Sequence, residues 1–354
     1  MNKKIVLPLA GAITAILSLL LVKLGNPANM GVCVACFVRD IAGSLKLHNA
    51  IVVQYFRPEI VGIIFGSLLL SVLRREFAAK GGSAPVTRFI LGFSLMVGAL
   101  LFLGCPLRMV LRLAGGDLNA ILGLLGFTTG ILIGAFFLKK GYTLQQTNLT
   151  NKTDSLVLPI ITLVLFTLVI FVPSLIVYST SGPGSMKAPV LIALSAGLIM
   201  GIVGFFSRLC FVASIRDSIL FKNFTMLSGF VTIILVGLIG NIILGNFKLG
   251  FEGQPIAHTE WLWNSLGMMM VGFCSVLLGG CPFRQLILAG SGNSDSAITI
   301  LGMVAGAAFA HNFNLASSVN GVTTNGKIGF FILLAIVSYI AIFNTFKKRS
   351  APVA

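Results

Sequence analysis

The sequence predicts an all-α polytopic membrane protein, an inverted repeat of two four-span halves with re-entrant half-helices and about 9–10 transmembrane helices. Three observations lead there. The chain has 354 residues, of which 56% are hydrophobic and only 10% charged, against about 25% charged in a soluble domain. Its mean hydropathy is +1.02. Apolar runs of about 20 residues, the length that crosses a bilayer, recur along the whole chain, and its motifs recur once at a fixed distance. This composition excludes a water-soluble enzyme, a disordered chain and a disulfide-stapled secreted module. The net charge of +16 sits in short clusters beside apolar runs, the pattern of topology signals and lipid headgroup contacts, and no nucleic-acid partner is expected.

The spans are expected at 5–24, 57–77, 86–104, 117–138, 155–178, 188–206, 223–247, 261–280, 294–312 and 327–346. The first, behind Lys3 and Lys4, exceeds the h-region of a signal peptide and is read as a retained helix. Four further segments, 30–46, 106–116, 208–220 and 282–292, are apolar but short, and hold arginine or begin at proline. They read as half-membrane helices lining an interior, because irregular backbone at membrane depth is tolerated only where protein or a cavity satisfies it. With ten spans, Lys3, Lys4, Arg74, Arg75, Lys139, Lys140 and the tail Lys347, Lys348 and Arg349 share one side, which the positive-inside rule makes cytoplasmic. Trp261 and Trp263 fall where an aromatic anchor of the outer face is expected. His48, His258 and His311 are all assigned to loops, with an external loop from His311 to Gly326.

Shifting the chain against itself by 176–177 residues reveals the repeat. Gly104-Cys105-Pro106-Leu107-Arg108 falls on Gly280-Cys281-Pro282-Phe283-Arg284, and Cys33 with Arg39-Asp40 falls on Cys210 with Arg216-Asp217. Each half reads span, cysteine-bearing short helix, span, span, Gly-Cys-Pro short helix, span. The single connecting span turns the second half over. The expected organisation is a first repeat over 1–140, a connecting loop and span over 141–185, a second repeat over 186–315, and a loop, last span and basic tail over 316–354.

Proline suits the first turn of a helix, so each preceding cysteine should stand at an N-cap, beside free N–H groups and the positive end of the dipole. Such a place binds anions. Arg108 and Arg284 follow one turn in, and Arg39 and Arg216 mark the other short helices as anion-stabilising candidates. Sulfur, N–H donors and cations together match an oxyanion or a soft chalcogen species. A lone buried cysteine in a membrane helix is usually a small apolar residue, and Cys274 is read that way. The paired Cys33, Cys105, Cys210 and Cys281 are read as a substrate pathway. Cys36 is open to two readings, packing or, with Cys33, a Cys-x-x-Cys redox pair. The Arg-Asp pairs are equally open, as structural ion pairs or as pathway groups. No metal site, cofactor or nucleophile–base pairing is evident, and no G-x-x-x-x-G-K-[ST] loop occurs.

These motifs resemble the YeeE/YedE sulfur-transport membrane family. They are Cys36-Phe37-Val38-Arg39-Asp40 with Cys33 nearby, Gly104 to Arg108, Ser207 to Asp217, and Gly279 to Arg284. The segment Asn29 to Cys36 is similar to the branch associated with selenium metabolism. The resemblance covers residues 1 to about 315. It implies a non-enzymatic transporter of a bacterial inner membrane, importing thiosulfate or a related sulfur or selenium anion. Cys105 and Cys281 would form its midplane pair, flanked by Cys210 and by Cys33 or Cys36. It also implies a small cytosolic sulfur- or selenium-carrier protein as partner. The competing reading from the residues is a membrane thiol–disulfide oxidoreductase using Cys33 and Cys36.

Overall fold

The computed structural model describes residues 3–346; the basic tail at 347–354 lies outside the described residues. Helices occupy all ten positions expected for spans: α1 (Lys3–Lys23), α3 (Pro58–Leu73), α4 (Pro85–Phe102), α6 (Asn119–Lys139), α7 (Lys152–Phe171), α8 (Val190–Ser207), α10 (Thr225–Ile243), α11 (Trp261–Leu278), α13 (Ser294–Asn312) and α14 (Thr324–Phe346). The four short helices are also present, as α2 (Val34–Ser44), α5 (Pro106–Ala114), α9 (Phe211–Phe221) and α12 (Pro282–Gly290). Among the described residues, eight stretches are long and apolar enough to cross a membrane, and three of these consist of a long helix with its short successor: α4–α5, α8–α9 and α11–α12. The α3 helix is shorter, at 16 residues. The chain is therefore an all-α, multi-pass membrane protein. Its outward surface agrees: Ile160, Val164 and Phe171 on α7 and Ile332, Ile336 and Tyr339 on α14 are exposed apolar or aromatic side chains at helical spacing, a surface suited to lipid.

The packing shows the inversion directly. Counterparts α1 and α8 run in opposite directions: just beyond the end of α1, Asn26 Oδ1 accepts the N–H of Ala188, immediately before α8, at 2.8 Å. Asn26 Nδ2 also donates to Glu59 Oε1 at the start of α3, at 2.8 Å. Every helix of one half then pairs with a helix of the other. The α3 helix lies along α8 as α10 lies along α1, and α4 along α13 as α11 lies along α6. These four pairs are parallel. Gly62 and Gly66 of α3 meet Leu194 and Leu198 of α8 in the same order; Gly126 and Gly130 of α6 meet Ser265 and Met269 of α11. The short helices obey the same exchange, α5 resting on α10 and α12 on α3. In the centre α4 and α11 cross at Gly98 and Gly267.

Glycine makes these pairings. Lipid supplies no hydrophobic drive between helices, so association depends on close van der Waals approach over small residues. A Cβ at Gly126, Gly130, Gly201 or Gly302 would strike a backbone carbonyl of the neighbouring helix. At the face where α1 begins, a short antiparallel pair, β1 (Lys80–Gly81) with β2 (Asn148–Leu149), ties two connections together. Two expectations are corrected. Trp263 is turned into the bundle against Phe330 and Phe331 of α14, so only Trp261 stands exposed as an anchor. His311 belongs to the last turn of α13 rather than to a loop.

Gly126→Val should overpack the α6–α11 contact by about 1–3 kcal/mol or more, because the neighbouring carbonyl is backbone and cannot rotate away. Size-exclusion chromatography in detergent should then show loss of the monodisperse species.

Candidate functional site

The four repeat cysteines all stand at the N-caps of short helices, where the following proline had placed Cys105 and Cys281 but nothing in the sequence had placed Cys33 and Cys210. Cys33 caps α2 and Cys210 caps α9; Cys105 and Cys281 cap α5 and α12, each followed by proline in the first turn. Their backbones are extended, as a cap requires, with φ of −88° at Cys105 and −70° at Cys281. The caps meet in pairs. Cys33 Sγ lies 3.8 Å from Cys105 Sγ, bringing the N-termini of α2 and α5 together. The thiols of Cys210 and Cys281 are likewise in hydrogen-bonding contact between α9 and α12. Each pair therefore sits where two positive helix ends converge. All five pathway candidates are free thiols and buried.

The symmetry breaks at Cys36. It lies one turn inside α2, with its sulfur 2.9 Å from that of Cys33, and its N–H donates to Cys33 Sγ at 3.3 Å. The repeat equivalent of Cys210 is thus Cys33, while Cys36 shares its cluster. The structure gathers Cys33, Cys36 and Cys105 in one group and Cys210 with Cys281 in another; Cys274 stands apart on α11.

Each Gly-Cys-Pro turn breaks a helix inside the bundle, through a left-handed residue at equivalent positions, Leu103 (φ 61°) and Gly279 (φ 81°). A break strands carbonyls that water cannot reach, and each must find a donor within the protein. In the first half Arg112 Nη1 donates to Phe102 O at 2.9 Å and His258 Nε2 to Leu101 O at 2.7 Å. Burial lowers the pKa of the His258 imidazole, which favours its neutral, donating form. Arg108 bonds Leu103 O, and its other donors reach Ile256 O at 3.0 Å, Asn29 O and Pro255 O at 3.4 Å, and Cys36 Sγ at 3.6 Å. The five N–H groups of that guanidinium are therefore engaged. In the second half an amide substitutes: Gln285 Nε2 reaches Leu278 O and Gly280 O, both at 3.3 Å. Arg284 is left with Nη1 buried and without a hydrogen-bond partner. The two matched arginines thus differ, one occupied by carbonyls and one with a donor to offer beside the Cys210–Cys281 pair.

The Arg-Asp pairs differ in the same way. Asp40 takes Arg39 on Oδ1 and Arg57 on Oδ2, each at 2.7 Å, and all three side chains are buried. Arg57 also donates to Pro183 O and Met186 O and stacks over Phe37 at 4.5 Å. Arg216 and Asp217 pair at 2.8 Å but stay partly exposed, at 27% and 22%. Both pairs are ion pairs; the first is buried and carries a surplus positive charge from Arg57.

Residues 206–346 match the sulphur-transport family model. The matched region runs from the end of α8 through α14, and holds Ser207 to Asp217 and Gly279 to Arg284. Over this region the match bears out the resemblance read from the motifs, to a family described by sulphur transport. A search of curated proteins finds no match.

Motif reading overlooked Arg57, Arg112, Asp117 and His258. Arg112 could have been found, since it lies four residues after Arg108 on the same helical face. Its Nε is 2.6 Å from Asp117 Oδ2, both are fully buried, and the guanidinium lies 4.2 Å from the Phe102 ring. Arg57 and His258 act across the fold and leave no local signal. Asp117→Asn should leave the Arg112 charge unbalanced at a cost of about 3–5 kcal/mol. Thermal unfolding in detergent should show the loss, whereas Asp217→Asn at the half-exposed pair should cost about 1 kcal/mol or less.

Proposed function

We propose that the protein imports a small sulfur- or selenium-containing anion, thiosulfate-like or its selenium analogue, through a pathway lined by Cys33, Cys36, Cys105, Cys210 and Cys281. The observation that carries this reading is the convergence of N-capping cysteines in pairs, one pair per inverted half. Two helix ends offer N–H groups and partial positive charge to an oxyanion, and the thiols offer weak, polarizable contacts that release it readily. An anion moving through apolar protein needs such compensation at each stage. Arg284 supplies a full charge with an unpaired donor at the second pair. Arg108 holds the broken helix open and lends its field to the first.

In this reading the protein is no enzyme and needs no cofactor. It sits in a bacterial inner membrane with both termini in the cytoplasm, where a small sulfur- or selenium-carrier protein takes the delivered atom. The 2.9 Å approach of Cys33 and Cys36 favours the second reading, a thiol–disulfide oxidoreductase. The two separate cleanly by thiol trapping during turnover, because a dithiol enzyme must cycle Cys33 and Cys36 through a disulfide, whereas a transporter keeps both as free thiols.

Labelled thiosulfate uptake should be measured in cells lacking their own sulfur-oxyanion importers. Cys105→Ala and Cys281→Ala, confirmed to reach the membrane, should each abolish it. Uptake by both variants at the wild-type rate would overturn the cysteine pathway. Arg284→Gln should weaken thiosulfate binding by roughly 10–100-fold, the worth of about 1.5–3 kcal/mol for a hydrogen bond to a charged group. Equilibrium binding to the purified protein would report it.

A further inference from the structure

The connecting span α7 is held to the bundle mainly by its first half, where its buried residues Ser155, Leu158 and Pro159 lie. Its far end leans on the start of α3 through Phe166, whose ring stacks on that of Phe56 with centroids 6.2 Å apart. Beside this contact a cavity of about 240 Å³ opens between the end of α7 and the starts of α3 and α8. Phe56, Phe166, Val169, Ile170 and Val190 give it apolar walls, and Tyr55, Tyr178 and Lys187, from the connections, bring polar groups. Backbone bonds fix those connections to each other: Val177 donates to Ser44 O at 3.0 Å, Ser179 to Gln54 O and Gly184 to Val52 O, both at 2.8 Å. Lys187 Nζ stands 5.0 Å from the centre of the Tyr55 ring and 5.3 Å from that of Tyr178, and has no ion pair among the described residues. Tyr55 is only 5% exposed, yet its hydroxyl has no hydrogen-bond partner among the described residues. Arg57 lies over the same ring at 5.0 Å. Even with Glu59 ionised, Arg39 and Arg57 balance Asp40 and Glu59, and the charge of Lys187 is left over.

We propose that this cavity binds one anionic phospholipid from the leaflet opposite the start of α1. The phosphodiester takes the Lys187 ammonium and the Tyr55 hydroxyl, a cation without a counter-ion and a donor without an acceptor. An acyl chain lies along Phe56, Phe166, Val169 and Val190. The apolar walls favour a lipid over a free anion. Position favours it over a protein segment, because Ile170 and Phe171 at the same end of α7 are exposed apolar residues, continuous with the surface suited to lipid. Tyrosines with a polar tip and an apolar body belong at such a boundary, and lysine there attracts anionic headgroups. Phosphatidylglycerol fits the charge, whereas the ammonium of phosphatidylethanolamine would meet that of Lys187. The bound lipid fills the gap between the far end of the connecting span and the two repeats. This site is independent of the anion-import reading, and its failure would leave that reading untouched.

The test places full-length protein in nanodiscs of phosphatidylethanolamine that contain a small share of phosphatidylglycerol with a photoactivatable group in one acyl chain. After illumination and digestion, mass spectrometry locates the label. It should fall between Phe166 and Ile170 or at Val190, and the same probe built on phosphatidylethanolamine should label these residues weakly. Lys187→Gln should reduce the phosphatidylglycerol label about fivefold, and Tyr55→Phe, which removes only the hydroxyl, by roughly tenfold. Equal labelling by the two headgroups, or wild-type labelling of both variants, would overturn the proposal in favour of ordinary lipid contact. Loss of the label in excess glycerol phosphate would make the occupant a free anion, and a dimer that shields the cavity from the probe would make it a second copy of the chain; either overturns it. If Tyr55→Phe fails to fold, Lys187→Gln decides, since that side chain is exposed.

Discussion

The structure depends on the satisfaction of carbonyl groups freed where α4 and α11 are broken. A continuous helix would need no such help, and would place no N-terminus inside the bundle. Breaking it at Leu103 and Gly279 creates the two cysteine-capped helix starts and, at the same stroke, strands the carbonyls behind them. Arg108, Arg112 and His258 meet that demand in one half and Gln285 in the other. A neutral amide suffices for the second break, and this is why Arg284 is released from structural duty while Arg108 is not.

The remaining buried charges follow from that choice. Two arginines within one short helix cannot be buried without compensation, so Asp117 stands against Arg112 and backbone carbonyls surround Arg108. Asp40 performs the corresponding service at the end of α2, but for two arginines at once. The first half is therefore dense with internal bonds, and the second is looser, with Arg216 and Asp217 reaching solvent. Two halves descended from one pattern have divided their labour, one supplying rigidity and the other available donors.

Much of this was legible in the sequence, for local reasons. The four short helices, and the caps at Cys105 and Cys281, follow from where proline and charge interrupt an apolar run, which neighbouring residues decide. The inversion follows from counting crossings. The partners of each charge were illegible, because they lie on other helices: Arg57 reaches Asp40 from 17 positions away, and His258 reaches Leu101 from 157. Trp263 shows the same limit. Its place near a helix start matched an interfacial anchor, but which side of α11 faces lipid depends on where α14 returns, and that is a property of the whole bundle. That Cys33 meets both Cys36 and Cys105 was likewise illegible, because it depends on how α2 is set against α5.

The exchange of partners between halves also bears on how the chain is made. Because α1, α3, α4 and α6 each find their glycine-matched neighbour in the other half, the first repeat has no finished interior when it leaves the ribosome. Its counterparts follow some 176 residues later, an interval of roughly 9–35 s at about 5–20 residues per second. Through that time its glycine grooves and the buried ions Arg39, Arg57 and Arg112 face lipid, or whatever insertion machinery shelters them. The same interlock joins the two repeats into one obligate unit, so a gene cut between α6 and α8 would yield two fragments that must find each other within the bilayer before either is properly folded.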